Sequence, residues 1–594
     1  MATTATTITG GAGTVPAGGS VYSSGNATVD ASAGTAAVRV DGNASVYLGT
    51  GGNDSVSIGG AGTVLGSGAA TLGNNVTIGG IGAVTLGGGA NHVQLGRGSV
   101  QVGNGNNTIA LSDGYVALGA GNNSVVIGNG GSTPDTVTGL TVVTTSVRGR
   151  STTSSSAFVA PNGNDSVTVN GVGAVTLGNG TDRVQMTSGT VSVGNGADSL
   201  VITGAGSVAM GTGADSVSIG GAGTVSGSTA STSADRVTIG GAGRVTLGGG
   251  ANQVSIGSGT VSVGNGGNTI TVTGAGSVAM GTGADSVSIG GAGTVSGSTA
   301  STSADRVTIG GAGRVTLGGG ANQVSIGSGT VSVGNGGNTI TVTGAGSVVA
   351  GTGADTIRAG SGTIAAGAGN DAISMSGSGS INAGTGNDSV TVGSGNNTVS
   401  ASGFATVTAG STTIDLAAVT QVTTTIINGG TPTITTATVA GAIQITNSGA
   451  IQTDKVTAGQ VTILGGSGQI RLIGGGSATT ASLKGGTGAD TFVGGAGKDT
   501  MSVGSGSNLF EFFKSNQSQF GGGAGGTHVI QGLTSTGGGG SLYIEGYTLA
   551  QLSTGGNTLV VSGGNTIITL ADKTSITLVG VTNLSSSSIT TTPI

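Results

Sequence analysis

The chain has no cysteine and no tryptophan. Without thiols there is no disulfide framework, no thiolate metal site and no cysteine nucleophile. Two histidines and two glutamates in 594 residues leave little for acid–base or nucleophilic catalysis. Charged residues make up 6% and the formal charge is −6. That argues against nucleic acid, whose recognition needs basic patches. No run of about 20 apolar residues occurs, so no transmembrane helix or membrane insertion is expected. The start, MATTATTITGG, lacks a basic segment followed by an apolar one, so no cleavable signal peptide is expected there. Two compartments stay open: the cytosol, or the exterior by a route that reads another part of the chain. Aromatics are only 2%, too few for a thick core.

What is present is glycine, 132 residues of it, about three times the usual ~7% share. Between the glycines, Val and Ile alternate with Ser and Thr, as in SVSI, which puts the apolar residues on one face of a strand. Residues 203–278 are repeated without change at 273–348. The repeat cuts into short strands joined by two kinds of turn. One is longer and ends in Asp or Asn (GTGAD, GGGAN, GNGGN, GSTASTSAD), and the other is short (GGAG, GSG, TGAG). The last residues of the long turns fall at 165, 182, 198, 215, 235, 252, 268, 285, 305, 322, 338, 355, 371 and 388, with an earlier series at 75, 91, 107 and 123. Two strands and two unlike turns make one coil. The fold class expected is all-β: a parallel β-roll, or β-solenoid, of about 16–17-residue coils with a C-terminal β cap.

Two stretches carry a family resemblance. GGTGADTFV (485–493) and GGAGKDTMS (494–502) follow the pattern G-G-x-G-x-D-x-U-x in tandem. The chain here resembles the repeats-in-toxin (RTX) calcium-binding proteins, and its tail 528–584 resembles the segment that closes such proteins before an uncleaved type I secretion signal. The body, 41–403, resembles them more loosely, because only one turn per coil is acidic and that position is often Asn. Its GTGAD-SVSI-GGAG-TVSG coil is also similar to the calcium-bound roll of large bacterial ice-binding adhesins. The resemblance implies passage through an exporter in unfolded form, then folding outside the cell on Ca2+.

The residues themselves suit that ion. Calcium takes six to eight oxygens. Glycine turns offer carbonyls, Asp adds a short carboxylate, and Asp outnumbers Glu by 20 to 2. Candidate ligands are Asp54, Asp165, Asp182, Asp198, Asp215, Asp285, Asp355, Asp371, Asp388, Asp490 and Asp499. Asp235 and Asp305 end the glycine-poor turn and are weaker candidates. For Asn91, Asn107, Asn252, Asn268, Asn322 and Asn338 the expectation is a hydrogen-bonded turn or a stacked amide ladder, since an amide brings no charge to a divalent ion. His92 and His528 read as surface residues. Phe510, Phe512, Phe513, Phe520, Tyr543 and Tyr547 read as a small core closing the stack.

The expected organisation is N-terminal coils (1–40), a first β-roll segment (41–127), an inserted arm (128–160), the main β-roll (161–403), a Thr/Val-rich β-module (404–484), the calcium nonapeptides (485–511) and a cap with secretion signal (512–594). The function expected is a secreted structural protein of a surface layer, adhesin or matrix, self-associating into fibre or lattice, with cell-surface polysaccharide as a further partner. An ice-binding roll and a carrier module of an exoenzyme or toxin are the alternatives. The ice-binding reading suffers because GTGND occurs once (384–388) among unlike neighbours.

Overall fold

The computed structural model describes residues 5–8, 10–128, 135–139, 163–393, 397–400, 404–409, 480–513, 525–534 and 540–590, with short strands between 413 and 473. They fall into two compact units, Met1–Gly293 and Thr294–Ile594. Among the described residues the fold is all-β, a parallel β-solenoid with coils of about 17 residues. Among the described residues the only helical pieces are the 3-10 turns Leu549–Ser553 and Ser586–Ser588.

In the first unit, the coil opened by Arg236–Thr246 is representative. It pairs in parallel with Gln253–Ser262, matching Val237 to Val254, Ile239 to Ile256 and Val245 to Val261. Alternation sends Val237, Ile239, Val245 and Leu247 inwards, all at most 3% exposed, while Arg236, Thr238 and Arg244 face water. Four aliphatic side chains per coil thus form a thin core, each stacked on its counterpart in the next coil.

In several coils the short turn does not interrupt the strand, while in others, such as Ser199–Ile202 and Gly206–Ala209, it does. In Asn75–Leu86, His92–Val102 and Arg236–Thr246 both strands of a coil run as one bent strand through it. Where a four-residue GGAG faces a three-residue GSG, the pairing skips one residue: Ile239 meets Ile256, then Ala242 meets Ser258. This bulge is the origin of the 16- and 17-residue steps. It also corrects the earlier series. Asn74, 3% exposed, holds the turn position, not Asn75, because the coil after it contains the four-residue GGIG.

Of the inserted segment 128–160, Asp135–Gly139 is a strand within the stack, paired with Tyr115–Leu118 on one side and with 173–176 on the other. Residues 129–134 and 140–160 lie outside the described residues.

The second unit repeats the same coil through Arg306–Thr316, Gln323–Ser332, Thr339–Val349 and Thr356–Ala365. The strands described within 404–484 keep to the parallel rule: Thr413 pairs with Thr433, Thr433 with Gln452, Gln452 with Arg471 and Arg471 with Thr491. Antiparallel pairing enters with Thr558–Ser562, Asn565–Thr569 and Ser575–Leu578, the last of which also pairs in parallel with Thr527–Gln531. Of the six aromatics expected to close the stack, Phe510, Phe512, Phe513 and Tyr543 are buried, Tyr547 is half-buried and Phe520 lies outside the described residues. Phe510 stacks on Phe492, one coil earlier, at 4.9 Å between ring centroids.

Candidate calcium-binding turns

Most of the five-residue long turns bend at a glycine in the left-handed region, such as Gly196 (φ 151°) and Gly213 (φ 144°). Glycine is needed there twice over. The backbone angle disfavours a side chain, and a Cβ on Gly213 would run into the carbonyl of Gly196 in the coil beneath. Close stacking lets the turns bond edge to edge, with Gly196 N–H donating to Thr212 O at 2.8 Å and Gly194 N–H to Gly178 O at 2.9 Å.

The residue ending each long turn points inwards and joins a ladder. The backbone N–H of Asp182 donates to Asp198 Oδ1 (2.8 Å), that of Asp198 to Asp215 Oδ1 (2.9 Å) and that of Asp215 to Asp235 Oδ1 (3.1 Å). The ladder runs up to this run from Asp54 through Asn74, Asn91, Asn107 and Asn123 to Asp165. From Asp235 it continues through Asn252 and Asn268 to Asp285. In the second unit it links Asp305, Asn322, Asn338, Asp355, Asp371 and Asp388. The glycine-poor turns therefore keep Asp235 and Asp305 in the column. The step from Asn123 to Asp165 spans 42 positions, so the inserted segment leaves the ladder unbroken.

One oxygen of each carboxylate is used in this way. The other, Oδ2, is buried without a hydrogen-bond partner in Asp54, Asp182, Asp198, Asp215, Asp355, Asp371 and Asp388. These residues are at most 3% exposed. Burial, reinforced by the neighbouring carboxylates, pushes Asp182 and Asp215 up to about 7 and Asp371 up to about 6. Burial alone raises Asp198 to about 6. It also raises Asp54, Asp165, Asp235, Asp285, Asp355 and Asp388. A column of buried, like-charged, half-bonded carboxylates calls for positive charge. No three His, Cys, Asp or Glu side chains among the described residues converge as a metal cluster. An ion here must draw on backbone carbonyls as well, which suits a hard cation of high coordination number and not zinc. The residues fit calcium.

The nonapeptides differ from the body. Asp490 Oδ2 accepts the N–H of Gly486 (2.9 Å) and Asp499 Oδ2 that of Gly495 (3.2 Å), each four residues back. Here both turns of a coil end in Asp. The surface expectation for His528 is wrong: it is 1% exposed. It sits one coil beyond Asp499 in register, with Nδ1 2.9 Å from Asp499 Oδ2 and its ring 4.9 Å from that of Phe512. A histidine thus takes the place that a further aspartate would occupy. His92 is exposed, as expected. Sequence reading also missed Asp113, buried at a short turn and paired with Arg97 of the preceding coil at 2.5 Å. Only the equal offset of the two residues within their coils could have signalled it.

A family model for the RTX calcium-binding nonapeptide repeat (4 copies) matches residues 340–373, 375–405 and 475–510. No curated protein matches the chain. The matched segments contain Asp355, Asp371, Asp388, Asp490 and Asp499, and repeats of this kind bind Ca2+. The chain therefore carries RTX calcium-binding nonapeptide repeats on a parallel β-solenoid and fits an RTX β-roll protein.

Proposed function

We propose that the protein is a calcium-binding structural component of the extracellular surface, in a surface layer, adhesin or matrix, and that it folds outside the cell as calcium binds. The observation that carries this reading is the column of buried, unpartnered Oδ2 atoms at Asp182, Asp198 and Asp215, and again at Asp355, Asp371 and Asp388. Asp54 shares the unpartnered Oδ2, and Asp165, Asp285, Asp490 and Asp499 are the further ligands proposed, the last two with Oδ2 held by a backbone N–H of their own turn. With the ion bound, these carboxylates and the glycine carbonyls of their turns surround it, and adjacent coils are joined. Without it the like charges repel along the stack. Binding that requires the folded state adds directly to stability.

A structural role is supported by the exact duplication of 203–278 at 273–348, since identical coils multiply a surface rather than a unique site. RTX β-roll repeats are generally structural. Among the described residues no helix is long and apolar enough to cross a membrane. Self-association is the expected partner chemistry, with cell-surface polysaccharide second. Electron microscopy of purified protein, in calcium and in chelator, tests the reading. Ordered fibres or sheets in calcium that dissolve in chelator are expected. Monodisperse particles under both conditions overturn the scaffold role, and unchanged β structure in chelator overturns calcium-linked folding.

A further inference from the structure

The asparagines of the ladder are wired differently from the aspartates. Asn91 Nδ2 donates to the carbonyls of Gly87 (3.2 Å) and Gly89 (3.1 Å) in its own turn and to Asn107 Oδ1 in the next coil (2.9 Å). Asn107 does the same with Gly103 (3.2 Å), Gly105 (2.9 Å) and Asn123 Oδ1 (2.8 Å). The pattern recurs at Asn123, Asn252, Asn268, Asn322 and Asn338. In every case the amide nitrogen gathers three oxygens: the carbonyls four and two residues back, and the side-chain oxygen one coil on.

Asp182, Asp198 and Asp215 end turns of the same length and hold the same ladder bond through Oδ1. At the place of the donating nitrogen they carry Oδ2, an acceptor with no partner. Oxygen facing oxygen demands either a proton or a cation between them.

We propose that the asparagine amide is a built-in substitute for calcium: its NH2 group takes the position at which the aspartate coils take the ion. This rests on the reading of the aspartate turns as calcium sites. The chain is then a block copolymer. Asn91–Asn123 forms a neutral block that holds together without calcium, and Asp182–Asp215 a charged block that requires it. The substitution depends on turn length. Asn74, which ends a longer turn, keeps the ladder bond through Oδ1 but its Nδ2 has no partner.

Hydrogen–deuterium exchange on the full chain at neutral pH, in chelator and in calcium, tests this without any variant. The strands of 92–127 should exchange at least about tenfold more slowly than those of 183–219 in chelator, and the two should converge in calcium. Two triple variants exchange the wiring. Asp182→Asn/Asp198→Asn/Asp215→Asn should protect 183–219 in chelator and lower the calcium bound in equilibrium dialysis. Asn91→Asp/Asn107→Asp/Asn123→Asp should make 92–127 calcium-dependent and raise it. Equal exchange of both blocks in chelator, or an Asn→Asp block still protected there, overturns the proposal. If wild-type protein binds no calcium in dialysis, the calcium reading fails by itself. The amide substitution is then judged by whether the Asp→Asn variant gains protection in chelator, and it falls too if it does not.

Discussion

Removing calcium should make this protein more stable in mild acid than at neutral pH, the reverse of ordinary acid denaturation. Asp182 and Asp215 rise from 3.8 to about 7, and Asp198 to about 6, when the chain folds. A carboxyl that holds its proton more tightly when folded stabilises the fold fully below its unfolded value near 3.8. That stability is lost as pH climbs through 6 to 7. At ~1.4 kcal/mol per pH unit, Asp182 and Asp215 correspond to about 4 kcal/mol each. The turn edge lies close to water, so screening reduces this to about 2 kcal/mol each. The three sites titrate as a coupled set worth about 5 kcal/mol together, a large part of the 5–15 kcal/mol that ordinarily holds a domain together. Exposed Asp30 and Asp41, held low by Ser32 and by Tyr22 with Arg39, run the other way, but in open water. Circular dichroism of chelated protein should show strong β signal at about pH 4.5 and the loss of part of it, from the aspartate coils, between about pH 6 and 7.5, and calcium should flatten the profile. A β signal that is level across this range in chelator, or that falls on acidification, refutes the argument.

Three further outcomes follow from the geometry. Gly213→Ala forces a side chain onto a left-handed backbone and into the Gly196 carbonyl. It should cost about 3 kcal/mol in calorimetry with calcium present, whereas Gly68→Ala, with nothing within 4 Å, should change stability by less than about 0.5 kcal/mol. His528→Ala leaves the buried Asp499 carboxylate without its neighbour at 2.9 Å and should destabilise the last coils by about 3 kcal/mol, read as faster exchange of 498–512. Deleting 273–342 joins Val272 to Thr343, the junction that Val342 already makes, so Tm in calcium should move by less than about 3 °C.

The coil was legible because its signals are local: alternating Val and Ile for the inner face, and glycines before an Asp or Asn for the bend. The ladder was half legible. That Asn would bond its own turn and its stacked neighbour follows from amide chemistry, and the structure has it do both. What escaped were relations set by stacking across unequal loops. His528 lies 29 positions from Asp499 yet one coil away, a separation well beyond the 16- and 17-residue steps of the body. The position of Asn74 hung on one extra residue in a short turn. Asp135–Gly139 was hidden inside a stretch whose composition breaks the rhythm, although its Thr-Val-Thr core alternates as any other strand here does.

The bulge at the short turn bears on how such a chain changes in length over generations. In an ordinary strand one inserted residue turns every following side chain to the opposite face. Here Ile239 still meets Ile256 and Val245 still meets Val261 although the bends between them differ by one residue. That edge therefore accommodates bends that differ by one residue without turning the following side chains over. The opposite edge is keyed, because its last residue must reach the ladder, and the longer GSTASTSAD turn still delivers Asp235 to it. One side of the roll is open to drift and the other is under strict proofreading by its own hydrogen bonds.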